Sequence, residues 1–370
     1  MNRFQVFLLS LSVYIITEMK NTYRSIFYIL VISMAAGCAK TEKAGVNEAG
    51  KQYFDAWMSI NYPGKNATWN GEERTDGNGI YIIGETEGNG KEITEDGYAI
   101  VEYTLTDLKG NIASYTDKLT AKQLGTYDTT TYYGPQVWIT KDETIQAGLQ
   151  NALVGMKVGG RKKVIIPSWL MTYSSYGSVE EYLKKSTDYS NSIYDFTVVD
   201  FTDSIDVWQK DSIERYIVKE YGDLRTFSND TTGFYFKRNA SLPADAEKFP
   251  SDTTIYINYT GKLLNGLVFD TTDERTAIIN GLYNEDKDYE PVKISWGEKY
   301  GDITMNSSST ISGFAFALWQ MRYSPGNSDW HDGGTAIFYS PLGYGHSGSG
   351  ASIPGYAPLI FEIEIVEKPE

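Results

Sequence analysis

Apolar and polar residues alternate along two stretches of the chain that match one another. Ala99, Val101 and Tyr103 fall on one face of a strand, and Ile255, Ile257 and Tyr259 do the same further on. Upstream, Gly79-Ile80-Tyr81-Ile82 parallels Gly233-Phe234-Tyr235-Phe236. Beyond each Tyr, at the same spacing, stands a turn glycine: Gly110 after Lys109, Gly266 after Asn265. Both predict a hairpin. Pro135-Gln136-Val137-Trp138-Ile139 then pairs with Pro291-Val292-Lys293-Ile294-Ser295-Trp296. The period next changes to that of a short amphipathic helix. Ile145, Leu149, Ala152, Leu153 and Met156 form the apolar stripe of the first; Ile311, Phe314, Leu318 and Met321 form that of the second, with Ser308 or Ser309 as N-cap. Each copy closes on a strand, through Tyr194, Phe196 and Val198, and through Phe361, Ile363 and Ile365, with Glu362 and Glu364 on the solvated face. A helical segment precedes each copy, over 44–60 and over 204–221. The pattern predicts an α+β chain of two tandem domains, 76–203 and 229–370, each an antiparallel sheet wrapped against one short helix. Residues 39–75 form a tether and N-terminal helix, and 204–228 a helical connector.

Composition narrows the chemistry. The 370 residues leave room for two or three domains at roughly 100–200 residues each. Aromatics at 14%, with 29 Tyr, lean towards β structure. A net charge of −15 makes nucleic acid a poor partner. With two His and one Cys, an intrachain disulfide is excluded, and no metal or cofactor is expected. The single Cys follows an apolar run over 27–37 that ends in Met34-Ala35-Ala36-Gly37 and is preceded by Lys20 and Arg24. That is the pattern of an export signal. Small residues directly before Cys38 resemble the lipobox of bacterial lipoproteins. Residues 1–38 are then the signal peptide, with Met19 the better start, and Cys38 carries the lipid. The expected location is the bacterial cell envelope, lipid-anchored in the outer membrane and facing the periplasm or the cell surface.

The ordered series in the second copy resembles the FKBP-type peptidyl-prolyl isomerases. It runs Asn258-Tyr259-Thr260-Gly261, Val268-Phe269-Asp270-Thr271, Thr310-Ile311-Ser312-Gly313-Phe314, Gln320-Met321, Ser340-Pro341-Leu342-Gly343-Tyr344-Gly345, Ser352-Ile353-Pro354 and Leu359 to Glu364. In the first copy the similarity is best over Gln146–Leu149, Gly155–Gly159 and Lys162–Pro167. Together the resemblance spans 79–200 and 233–367. It implies an isomerase of X–Pro bonds in exported, proline-containing polypeptides. Carried over, Tyr259, Phe269, Phe314, Ile353 and Phe361 build the pocket. Ile311 offers a backbone donor, Tyr344 bonds a substrate carbonyl, and Asp270 lies beside the substrate amide. Phe314 stands where the family has Trp, which implies a slightly larger pocket. Extra segments at 276–290, 298–308 and 324–334 could form a lid or a partner surface. The first copy has Ala113-Ser114 in place of Phe269-Asp270, Leu149 at the floor, and Tyr173 or Tyr176 as its loop Tyr. It is expected to bind peptide or brace its neighbour rather than catalyse.

Other readings stand beside this one. Tyr259, Phe269, Phe314 and Phe361 also read as plain core, and Asp270 as a turn residue. The whole chain also reads as a peptide-binding chaperone or scaffold. Trp330-His331-Asp332, in a loop, allows glycan stacking. Gly343 to Gly348 fits G-x-G-x-x-G, but the alternating strand behind it leaves no helix to hold a dinucleotide.

Overall fold

The computed structural model describes residues 46–141, 144–173, 178–185, 190–229 and 232–369. The signal run, Met19, Cys38 and Tyr176 lie outside the described residues. No helix among the described residues is long and apolar enough to cross a membrane.

The fold is α+β. Among the described residues its helices are α1 (Val46–Asn61), α2 (Lys118–Leu124), α3 (Ala147–Leu153), α4 (Val179–Lys185), α5 (Ile205–Tyr221), α6 (Glu274–Asn280) and α7 (Ser312–Gln320). A small hairpin of β1 (Ala67–Trp69) and β2 (Glu72–Arg74) precedes two larger antiparallel sheets. The first contains β3 (Tyr81–Thr86), β4 (Tyr98–Thr106), β5 (Ile112–Tyr115), β6 (Gln136–Ile139), β7 (Arg161–Ile166) and β8 (Ser192–Thr202), in the order β3-β7-β8-β4-β5, with β6 also on β4. The second contains β9 (Ser228–Asn229), β10 (Phe234–Arg238), β11 (Thr254–Leu263), β12 (Val268–Thr271), β13 (Val292–Ser295), β14 (Thr304–Met305), β15 (Ser308–Ser309), β16 (Gly333–Phe338) and β17 (Leu359–Val366). Its central order, β13-β11-β17-β16-β10 with β12 on β11, repeats that of the first.

The alternation seen in sequence is the burial pattern of β11: Ile255, Ile257, Tyr259 and Leu263 face inward. Each sheet has its own apolar core, one around Val101, Leu149, Leu153 and Phe196, the other around Ile257, Phe314, Leu318 and Phe361. Gly110 and Gly266 both turn at φ +88°, a backbone conformation glycine adopts without a Cβ penalty. Connector helix α5 buries Ile213 and Ile217 against Tyr235, Ile337 and Ile360, the opposite face of the second sheet. It also holds both halves by side chains. Trp208 Nε1 donates to Asp200 Oδ2 at 2.8 Å, and Gln209 Oε1 accepts from the Ser340 N–H at 2.7 Å.

Two expectations change. The second domain's helix starts at Ser312, not after Ser308 or Ser309. Those serines pair with β14 as β15, and extended Ile311 is the N-cap. Each domain has more than one short helix, since α2 and α6 also occur. The segment at 276–290 has a counterpart in the first domain. Asp117 caps α2 through the Thr120 N–H and Asp273 caps α6 through the Thr276 N–H, with Gly125 and Gly281 at the C-caps. Tyr127–Tyr133 and Tyr283–Tyr289 then stack alike, each pair at 5.6 Å.

Candidate active site

The site is built where β11 and β12 meet. Opposite β11, Asp270 pairs with Gly261 and Val268 with Lys262, so Phe269 is the extra residue of a β-bulge. A bulge re-aims its side chain. The Phe269 ring fills the space over Gly261, where a Cβ would meet it at 2.6 Å. This explains Gly after Tyr259-Thr260. Thr272 fixes the strand behind: the Tyr259 N–H donates to Thr272 Oγ1 at 2.9 Å, and the Thr272 N–H to Tyr259 O at 3.0 Å.

Four rings gather here. Phe361 lies 5.7 Å from Phe269 and 5.0 Å from Phe314, both near perpendicular, and Tyr259 lies 5.4 Å from Phe314. Such edge-to-face contacts are favourable. Phe314 is 2% exposed, and Tyr259, Phe361 and Ile353 are buried with it in one core cluster. The floor is therefore packed, and these residues are core and site wall at once. Phe269, Ile311 and Asp270 are half-buried at its edge, and Tyr344 is 38% exposed.

The polar side centres on Asp270. Oδ2 accepts from the Tyr259 hydroxyl at 2.5 Å, while Oδ1 accepts from the Thr271 N–H at 2.9 Å and from Lys287 Nζ at 2.8 Å. Burial, together with the Asp270 charge, raises the Tyr259 phenol far above its ordinary pKa. Burial and the same carboxylate also raise Tyr344, which places Tyr344 within the field of Asp270. Both hydroxyls are thus donors at neutral pH. The Ile311 carbonyl accepts from the Phe314 and Ala315 N–H groups, so the helix start is fixed in place. The arrangement offers an aromatic wall, a buried phenol bonded to a half-exposed carboxylate and an exposed phenol, the requirements for gripping an amide without breaking it. Among the described residues no group of three or more His, Cys, Asp or Glu could hold a metal ion.

Lys287 and Thr272 had not been singled out. Lys287 is remote in sequence and has no local pattern. Thr272 had a signal in the repeat, because Thr116 stands in the same place. Indeed the first copy repeats the frame. The Tyr103 N–H donates to Thr116 Oγ1 at 2.9 Å, Ala113 is the bulge residue, and the Tyr103 hydroxyl lies 3.1 Å from Ser114 Oγ. Leu149 lies at its floor, 3% exposed, and rings stand beside it. Trp138, from β6, lies 5.1 Å from Tyr103 and 5.8 Å from Tyr194.

Residues 245–366 match the family model of FKBP-type peptidyl-prolyl cis-trans isomerases. A probable FKBP-type peptidyl-prolyl cis-trans isomerase of Haemophilus influenzae is 27% identical over 150 residues, 40% of this chain and 48% of the relative. The match thus spans about half the length of that relative. Among solved structures, the three FKBP domains of wheat FKBP73 align at 15% identity and TM-score 0.24, over 78% of this chain and 94% of theirs. A peptidyl-prolyl cis-trans isomerase from Pseudomonas syringae aligns at 20% identity and TM-score 0.28, over 45% of this chain and 97% of its own. Structural likeness at those scores adds nothing to the match of residues 245–366.

Proposed function

We propose, from the match of residues 245–366 to the FKBP-type peptidyl-prolyl cis-trans isomerase family model, that the protein isomerises X–Pro bonds in exported polypeptides. An X–Pro amide twists over a barrier of about 18–20 kcal/mol. No bond breaks, so no nucleophile or proton transfer is needed. The twisted amide loses resonance and becomes less dipolar. A wall of Phe269, Phe314, Phe361 and Ile353 that excludes water favours it over the planar form. Tyr344, exposed at the rim, holds a substrate carbonyl. The Ile311 N–H fixes the neighbouring backbone. Asp270 keeps Tyr259 oriented and its own charge beside the amide. The observation that supports this reading most directly is the Tyr259–Asp270 hydrogen bond set against the Phe269 and Phe361 rings.

A second reading, a peptide-holding chaperone with weak catalysis, is favoured by the packed floor at Phe314 and by Lys287 on Asp270. NMR exchange of a proline peptide on the full chain separates the two. The enzyme accelerates cis/trans exchange, and Tyr344→Phe and Asp270→Val both slow it. Exchange no faster than in buffer, over a range of X–Pro peptides, leaves the holding role. Acceleration unchanged in both variants moves the site out of the second domain. We assign the protein to the envelope by a lipid on Cys38. Mass spectrometry of the N-terminal peptide from membranes would detect a diacylglyceryl mass there, and an unmodified thiol would refute it.

A further inference from the structure

The first domain contains a cavity of about 340 Å³ that the function above does not use. Its wall is the ring group of Tyr103, Trp138 and Tyr194. Tyr173, 54% exposed, stands at its mouth, with its hydroxyl accepting from Gln146 Nε2 at 3.1 Å. Ser114 replaces the acid of the second domain, so the framework survives while the charged partner of the amide is lost. The volume lies in the range of ligand-binding cavities.

The rest of the rim comes from the other domain. His346 and Tyr356, in the loop between β16 and β17, line this first-domain cavity. That loop is held in place at both ends. The Tyr356 N–H donates to Gly345 O at 2.9 Å, and the Tyr132 N–H of the first domain donates to Ala351 O at 2.9 Å. Ile353, in the same loop, packs in one cluster with Phe314 and Phe361 of the second site. Tyr356, three residues on and at most about 11 Å along the chain, lines the first-domain cavity. One loop thus borders both sites.

We propose that the two sites form a single bipartite groove for one extended polypeptide. The second domain takes the X–Pro bond, and the first-domain cavity takes an apolar or aromatic side chain a few residues away. This rests on the isomerase reading above. The first domain then sets specificity and holds the client without turning over amides.

The test uses the full chain and two probes. One is an X–Pro tetrapeptide. The other is a twelve-residue peptide with the same X–Pro bond and a Phe four to eight residues from it. Exchange should show a KM at least fivefold lower for the long peptide at equal kcat. Thr144→Trp, which plugs the exposed mouth, and Tyr173→Ala, which opens it, should each remove that advantage. Equal KM values in the parent, or an advantage unchanged in both variants, overturn the proposal. If the tetrapeptide is not turned over at all, the isomerase reading fails by itself. The groove is then read from 5-fluorotryptophan NMR. A saturable shift of Trp138 with the long peptide, absent in Thr144→Trp, upholds it, and no shift overturns it.

Discussion

Removing the Tyr259–Asp270 hydrogen bond one partner at a time tests the centre of the second domain. Tyr259 is buried, whereas the Asp270 side chain is 40% exposed and has two further partners, Lys287 and the Thr271 N–H. A hydrogen bond to a charged group contributes about 1.5–3 kcal/mol, and partial solvent screening places this one near the lower end. Tyr259→Phe leaves Asp270 with its other partners and should cost about 1.5 kcal/mol. Asp270→Ala strands a buried phenol and should cost about 2.5 kcal/mol. The double variant should cost little more than Asp270→Ala, a coupling of about 1.5 kcal/mol. Urea unfolding of the full chain, followed through 5-fluorotryptophan signals of Trp296 and Trp319 in the second core, reads this locally. Single effects that add to within about 0.5 kcal/mol would show that the bond carries no energy of its own, and the electrostatic account of the site would fall.

Three other outcomes follow from the same geometry. The Tyr259 phenol binds its proton more tightly folded than unfolded. Its contribution is complete below the ordinary Tyr pKa of about 10 and is lost as pH rises beyond that. Tyr259→Phe should therefore flatten alkaline unfolding by up to about 1.4 kcal/mol per pH unit, and an unchanged slope above pH 10 refutes it. Gly313→Ala should destabilise by about 1–3 kcal/mol, because its Cβ would meet the buried Phe338 ring at 2.4 Å. Thermal unfolding at wild-type temperature would contradict this. Lys287→Ala should change stability by less than about 1 kcal/mol, as half-exposed ion pairs do, while lowering the KM for an X–Pro peptide about twofold. A raised KM in exchange kinetics would make Lys287 a substrate contact instead.

The sequence by itself determined the two copies and their order. Period-2 burial at Ile255, Ile257 and Tyr259, the glycines at 110 and 266, and the helical spacing of Ile311, Phe314, Leu318 and Met321 are local facts. Each follows from backbone geometry and the cost of exposing apolar side chains. The residues of the second site were legible through the ordered series that resembles the FKBP-type isomerases. Alternation alone places Tyr259 and Phe361 on the inner face, but the bulge at Phe269 breaks the register there. What sequence left open were matters of approach between distant residues. Nothing local links Lys287 to Asp270, or Tyr132 to Ala351. Whether Phe314 is core or pocket depends on how closely Tyr259 and Phe361 pack on it. The aromatic wall of the first domain was hidden too. Trp138 and Tyr194 come from two strands that meet only through β4, their common neighbour, so only the assembled sheet brings their rings together.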